Sequence, residues 1–348
     1  MAVLLTLFVG LRYYTGADWM MYLTAFEHPE WVFKSFESGY VFVSQIFRII
    51  FNNYYVFQFT ASAFIIFAAS RLFKKYSNYP IACLALMLCF LMRNILMAQV
   101  RQSIALAIIV LFADYIFDRK LVHFLLVVFI AMLFHKSALV ALPLYLLYKN
   151  YGKILPISLI LVANVFYFYP ETLAAIVNSI APFLPGGLST KVAEYLTTVH
   201  ADAMKFNTGL YYFGQLTIIL VVIIFSKMKD KRTAFFANSL AIFAIVRAFT
   251  ISIKIFERVE AYYLIFGLLA IASVWDVDLK FIKTKISKPI IAAAIIAFLF
   301  IPNVKFLLPS NPNVSPLNGR KEAYQWKPYY NCIIHPKEAS QRLDWWQQ

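Results

Sequence analysis

Arg101, in "AQVRQSIALAIIVLF" (98–112), heads a run that otherwise has the composition of a bilayer-spanning helix. An arginine at the centre of such a helix costs about 2.5–3.5 kcal/mol on insertion scales, so its presence calls for a reason. Arg12, Arg93, Lys136, Arg247, Lys254 and Arg258, with His135, stand in similar places at the ends of apolar runs. In "IVRAFTISIKIFERVEAYY" the steps from 247 to 254 to 258 are seven and four, which stack three cations on one helical face, with a turn near 254 interrupting it. Glu257 and Glu260 neutralise part of that charge. Guanidinium groups that converge at an apolar boundary suit a bidentate oxyanion such as phosphate or diphosphate.

Each residue also has a plainer use. Arg12, Lys136 and Lys254 can snorkel to an interface on their long stems. Arg258 can pair with Glu257 or Glu260, and Arg93 ends a helix where water can reach it. Arg101 is the hardest to explain this way, because apolar runs flank it on both sides. His135, in "LFHKSAL", either joins two short helices through hydrogen bonds or titrates near neutral pH as a catalytic group. Asp18 in "YTGADWMMY" and Glu37 in "FESGY" lie among glycine and aromatics, where a carboxylate serves as a base, a sugar ligand or a turn residue; the last is the simplest reading of Glu37. Asp114 and Asp118, beside Arg119, read as structural. Glu171, His200 and Asp202 show too little pattern to assign. The chain carries no P-loop, no H-E-x-x-H and no nucleophile elbow. Cys83, Cys89 and Cys332 lack metal-ligand spacing, so neither a metal nor a cofactor is expected.

The elements that must hold these residues are membrane helices. The chain has 348 residues, 62% of them apolar and only 14% charged, well outside the range of soluble domains. Its net charge of +15 reflects basic residues gathered in cytoplasmic loops and does not point to nucleic acid. Apolar runs predict spans near 54–73, 79–96, 96–117, 120–135, 137–149, 154–170, 208–227, 233–253, 256–275 and 288–303. The expected fold is all-α, a polytopic transmembrane bundle of about 10–11 membrane helices. Several are too short for a straight span and read as short, broken or re-entrant, 120–135 and 137–149 above all.

Basic clusters at 71–75, 119–120, 149–153, 227–232 and 280–288 are separated by even numbers of these spans, so all fall on one side, the cytoplasmic one. The opposite side then receives loop 12–39, the turns near Arg93, His135 and Lys254, a long loop 171–207 and the tail 304–348. The seven cations and His135 collect on that side, against the positive-inside trend. Segment 40–52 reads as a half-inserted or interfacial helix. The opening "MAVLLTLFVGL" is too short to span and reads as the end of a first helix. Residues 1–303 therefore form the transmembrane domain and 304–348 an interfacial tail.

The motifs "GLRYYTGADWMMY" (10–22), "ESGYVF" (37–42), "VRQSIALAI" (100–108), "FHKSALVALPL" (134–144) and "ERVEAYYLI" (257–265) resemble, in order and spacing over about 10–275, the EpsG/Wzy family of bacterial surface-polysaccharide polymerases. The resemblance implies a GT-C-like glycosyltransferase of the bacterial inner membrane, metal-independent and inverting. Such an enzyme moves a growing glycan from polyprenyl diphosphate to a lipid-linked repeat unit on the extracytoplasmic face. It implies a polyprenyl-diphosphate-linked oligosaccharide as both donor and acceptor, contact with membrane lipid and a chain-length-regulating membrane protein as partner. The family's functional positions fall on Arg12, Asp18, Arg101, His135, Arg258 and Tyr262. On this reading Arg101 and Arg258 hold the diphosphate, with Arg12, Arg93 and Arg247 in support and Lys136, Lys254 and Glu37 nearby. His135 or Asp18 takes the acceptor proton, with His135 slightly favoured because its pKa can lie near 7. His135 can instead bind phosphate as imidazolium. A glycan ligase, another polyprenyl-phosphate-dependent glycosyltransferase or a lipid-linked sugar transporter needs similar cations. A transporter, however, predicts them along a path through both leaflets.

Overall fold

The computed structural model of the protein describes residues 1–13, 15–16, 18–31, 36–180, 183, 206–250, 256–273, 287–307 and 330–331. In chain order the helices are α1 (Ala2–Gly10), α2 (Trp19–Glu27), α3 (Ser38–Phe51), α4 (Tyr54–Tyr76), α5 (Pro80–Leu91), α6 (Val100–Leu111), α7 (Asp114–Phe117) and α8 (Leu121–Met132). They continue with α9 (Leu144–Leu147), α10 (Ile154–Phe168), α11 (Pro170–Ile180), α12 (Phe206–Phe225), α13 (Lys231–Thr250), α14 (Glu257–Ser273) and α15 (Ser287–Leu307). Two strands of two residues, β1 (Arg12–Tyr13) and β2 (Tyr330–Asn331), pair antiparallel with Arg12 opposite Asn331. The protein is an all-α helical membrane bundle. Among the described residues, Tyr54–Tyr76, Pro80–Ala98 and Lys231–Thr250 are long and apolar enough to cross a membrane. Ile154–Phe168 with Glu171–Ile180, bent by 99°, makes a fourth if the pair is one span.

The chain divides into two compact units. The first comprises Met1–Tyr115, Lys120–Leu139 and Phe281–Gln348. Its centre is α6, apolar all round beyond its first turn and buried except at Arg101 and its last residue, as expected of a helix enclosed by neighbours. α4 packs on α6 and also meets α1, α3 and α5. At 23 residues it is about 34 Å long, enough for a bilayer core of about 30 Å. Asn52 in the left-handed region ends α3, and the Asn53 side chain then accepts the Tyr55 N–H to start α4. Pro80 opens α5, which continues as a π-helical segment, Met92–Ala98. The Asn303 amide on α15 donates to the Cys89 carbonyl of α5 at 2.8 Å. Where α4 and α6 end, Lys75 holds the Asp114 carboxylate at 2.8 Å and Arg71 donates to the Leu111 carbonyl at 2.7 Å. These cations sit at helix C-termini, where the backbone dipole favours them.

The second unit comprises Ile116–Arg119 and Val140–Lys280. Its centre is α14, buried from Glu260 to Ala272 and packed along α13. The close approach passes through Gly267, where a Cβ would stand 3.0 Å from the Leu240 Cα. The Asn238 amide on α13 donates to the Leu147 and Lys149 carbonyls that end α9. Asp230 caps α13 through the Thr233 N–H at 2.7 Å, and that bond holds its carboxyl below the ordinary range.

Most predicted spans coincide with helices, but two local expectations change. Arg93 does not lie in a turn: it is inside the π segment, and the chain breaks at Gln99. Span 137–149, expected to be short, broken or re-entrant, does divide into a 3₁₀ stretch (Lys136–Ala141) and α9, because Pro143 interrupts it. The expected loop 171–207 begins as α11, a helix opened by Pro170. Residues 184–205 lie outside the described residues, with His200 and Asp202 among them, as do 251–255 with Lys254 and most of the tail.

Candidate active site

The first unit brings Arg101, Glu37 and the His135 turn together. The position of Arg101 follows from the break before α6. The Gln99 N–H reaches back five residues to the Asn94 carbonyl at 2.8 Å, closing the π segment, and a new helix starts at Val100. Arg101 is thereby on the first turn of a buried helix. The "TGAD" loop docks on this break. Gly16 has φ +114°, and a Cβ there would stand 2.3 Å from the Met97 carbonyl oxygen, so only glycine allows the approach. The chain then enters α2 with Asp18 at its N-cap position and Tyr22 one turn on. The Arg101 guanidinium lies 4.0 Å from the Phe36 ring centroid and 5.9 Å from that of Tyr22. Burial pushes the Tyr22 phenol up, so it stays protonated beside the cation.

Glu37 supplies the counter-charge. Its Oε2 accepts from Arg101 Nη1 at 2.6 Å, and the two side chains are only 10% and 16% exposed. Two charges so far from water are tolerated because they are paired. The other oxygen, Oε1, accepts the Lys136 backbone N–H at 3.2 Å. Burial alone would raise the Glu37 carboxyl. Arg101, the backbone N–H groups of Glu37 and Lys136, and His135 outweigh that and hold it below its ordinary value.

The same glutamate sits where two helices meet end to end. The Gly39 and Tyr40 N–H groups at the start of α3 donate to the Leu133 carbonyl just past α8, at 2.8 and 3.3 Å. This satisfies N-terminal donors of one helix with the C-terminal carbonyl of another. It also requires Gly39, since a Cβ would fall 2.8 Å from both the Leu133 oxygen and its Cβ. Beyond Leu133 the chain turns through His135, whose Nδ1 lies 2.6 Å from Ser137 Oγ and accepts the Ser137 N–H at 3.2 Å. A backbone N–H can only donate, so Nδ1 is an acceptor and the neutral ring carries its proton on Nε2.

Other expected residues have different surroundings. Arg12 is 1% exposed; its Nη1 donates to the Val9 carbonyl at 2.7 Å and to Ser62 Oγ at 3.2 Å, capping α1 against α4. Gln58 locks that corner, donating to the Gly10 and Arg12 carbonyls and accepting from Trp19 Nε1, each at 2.8 Å. Arg93 is exposed and donates from Nε to Asn94 at 3.1 Å. The Lys136 side chain is exposed, and its backbone is the part that meets Glu37.

The second unit gathers a polar group of its own at the end of α13. Arg247 Nη1 lies 3.1 Å from the Glu260 carboxylate on the first turn of α14. Tyr211 and Glu257 also act electrostatically on Arg247. Gln215 donates to the Tyr211 hydroxyl at 2.8 Å, and the Tyr212 hydroxyl donates to Asn164 at 2.5 Å. Arg258 shares the first turn of α14, and Tyr262 is buried one turn on. Tyr22, Phe36, Ser137, Gln215 and Asn164 are participants that no sequence motif marks. Gln215 and Asn164 carry a weaker signal, each being an amide within an apolar stretch of helix.

Among the described residues no group of three or more His, Cys, Asp or Glu side chains is placed to hold a metal ion. The chain matches the EpsG family over residues 1–329. No curated protein and no solved structure matches it. With a family match over nearly its whole length, on an all-helical membrane bundle, the chain belongs to the EpsG family, which at the level of the family carries a polysaccharide-polymerase role.

Proposed function

We propose that the protein is a polysaccharide polymerase, a GT-C-like glycosyltransferase that moves a growing glycan from its polyprenyl diphosphate carrier to a fresh lipid-linked repeat unit. One observation carries the reading: Arg101, a guanidinium largely withdrawn from water, stacked on Phe36 and held by Glu37 at the head of a buried helix. Such a group suits the diphosphate of a lipid whose tail shares its apolar setting.

In the proposed reaction the anomeric carbon–oxygen bond to the diphosphate breaks as an acceptor hydroxyl bonds that carbon from the opposite face, inverting it. The bond's electron pair leaves with the diphosphate, and the hydroxyl proton passes to a base. Arg101 meets the charge as it develops on the leaving group, the kind of electrostatic stabilisation that usually dominates such sites. It needs no metal ion for this. Because Nδ1 of His135 receives the Ser137 N–H, the neutral ring offers Nε2–H to an oxyanion. Asp18 is then the better candidate for the base, and its charge is felt by Tyr22 beside Arg101. In the second unit, Arg247, Glu260, Tyr211 and Gln215 are assigned to glycan hydroxyls, with Arg258 and Tyr262 on the adjoining turns.

The reading includes the extracytoplasmic face of the bacterial inner membrane and a chain-length-regulating partner. In its support, Arg71 and Lys75 gather where α4 and α6 end, opposite the α6 terminus that bears Arg101. The test is glycan length in a polymerase-deleted host complemented with wild type or Arg101→Ala, at matched membrane abundance. A ladder from wild type and single repeat units from the variant are expected; equal ladders would remove Arg101 from the mechanism.

A further inference from the structure

Glu37 Oε2 sits on Nη1 of Arg101 at 2.6 Å, and Tyr22 also hydrogen-bonds the guanidinium. Nε is buried and has no hydrogen-bond partner among the described residues, so the guanidinium keeps donor capacity for a ligand oxygen while Glu37 stays in place. Glu37 cannot easily withdraw: its other oxygen holds the Lys136 N–H, and the next residues of its helix are bonded to Leu133.

We propose that Glu37 is the resident counter-anion of Arg101, a positioning residue that fixes the guanidinium and weakens its hold on the phosphates of the carrier. This rests on the reading of Arg101 as the diphosphate contact. An anionic ligand that reaches the guanidinium shares the cation with a carboxylate already there. The cost is repulsion between two anions held at one guanidinium. At an effective dielectric of about 20 and a separation of roughly 6 Å, that repulsion corresponds to a ten- to hundredfold change in affinity. Between turnovers the same carboxylate neutralises a buried cation that would otherwise stand alone. The arrangement favours product release: the enzyme must let go of a polyprenyl diphosphate each time a bond is formed, and an uncompensated arginine would retain it. It also couples phosphate binding to the His135 turn, since one carboxylate touches both.

The experiment uses the full chain in lipid nanodiscs, with farnesyl diphosphate and inorganic pyrophosphate as probes titrated against wild type, Arg101→Ala and Glu37→Gln. Glutamine keeps the shape and an acceptor for the Lys136 N–H while removing the charge. Glu37→Gln is expected to bind farnesyl diphosphate at least about tenfold more tightly than wild type, with both KM and kcat lowered in glycan transfer. Arg101→Ala is expected to lose binding. Tightening with farnesyl diphosphate but not with pyrophosphate assigns the effect to a lipid-linked diphosphate; equal tightening assigns it to the phosphates alone, and both support the inference. Unchanged or weaker binding by Glu37→Gln, with binding still lost in Arg101→Ala, overturns the counter-anion role and leaves the polymerase reading intact. Unchanged binding in Arg101→Ala overturns both. If Glu37→Gln does not fold, Glu37→Asp, which retracts the charge by one methylene, is expected to tighten binding a few-fold, and equal or weaker binding there overturns the inference.

Discussion

Gly39→Ala tests whether the site depends on the contact between the start of α3 and the end of α8, and two effects of opposite sign compete. Helix propensity alone predicts a more stable protein, because alanine is favoured over glycine by up to about 1 kcal/mol in a helix interior. The structure predicts the reverse. The new Cβ would stand 2.8 Å from the Leu133 oxygen and from its Cβ, where ordinary contact begins at 3.4 Å. The helix ends must then separate by about 0.6 Å, in a packed interior with little room to give. The two bonds to the Leu133 carbonyl stretch or break, at roughly 0.5–1.5 kcal/mol each. The combined loss of about 1–3 kcal/mol outweighs a propensity gain of at most about 1 kcal/mol, so we expect net destabilisation of up to about 2 kcal/mol. Glu37, two residues earlier, moves with the helix and draws away from the Lys136 N–H, so glycan synthesis per folded molecule falls as well. Thermal unfolding in detergent, read beside transfer activity normalised to folded protein, measures both effects. A variant that melts at or above the wild-type temperature with full activity would refute the close approach and the role given to it.

Three further outcomes are expected. Arg12→Ala removes charged hydrogen bonds to Val9 and Ser62 at a buried helix cap and should lower stability by about 1.5–3 kcal/mol; activity per folded molecule should stay within a few-fold of wild type, measured as kcat/KM on purified protein. The Glu37 carboxyl, faced by Arg101, His135 and the Lys136 turn, has its folded-state pKa below the ordinary 4.5, so the stability it adds is present above that value and is lost as pH falls through the lower folded value. The melting temperature should therefore decline below about pH 4.5 and do so less in Glu37→Gln. Arg247→Met leaves Glu260 buried without its partner and should destabilise by about 1–3 kcal/mol, the lower part of the range reflecting the partial exposure of Arg247. Adding Glu260→Leu should recover much of that loss in chemical denaturation.

Apolar runs marked most of the membrane helices because burial and lipid both demand them, and the ends agree within a few residues at α4, α8 and α10. The break before Arg101 was less legible. "MRNILMA" contains neither proline nor glycine, so nothing local announces a π segment. The cost of a charge in an apolar run singled out Arg101, but its partnership with Glu37 spans 64 residues and depends on α3 and α8 meeting end to end. Arg12 illustrates the opposite case. By position it belongs with the cations at the membrane edge, yet packing of α1 on α4 turns its side chain inward to Val9 and Ser62. Gly16 and Gly39 look like ordinary turn residues, and only the carbonyls of Met97 and Leu133 beside them explain why no side chain fits.

Transfer of a glycan off a polyprenyl diphosphate can be followed with purified protein in proteoliposomes supplied with the host's own lipid-linked repeat unit. A ladder of longer lipid-linked glycans is expected, with one polyprenyl diphosphate released for each new glycosidic bond, both abolished by Arg101→Ala. Lipid-linked repeat units that remain single, or diphosphate released without any longer glycan, would contradict that transfer.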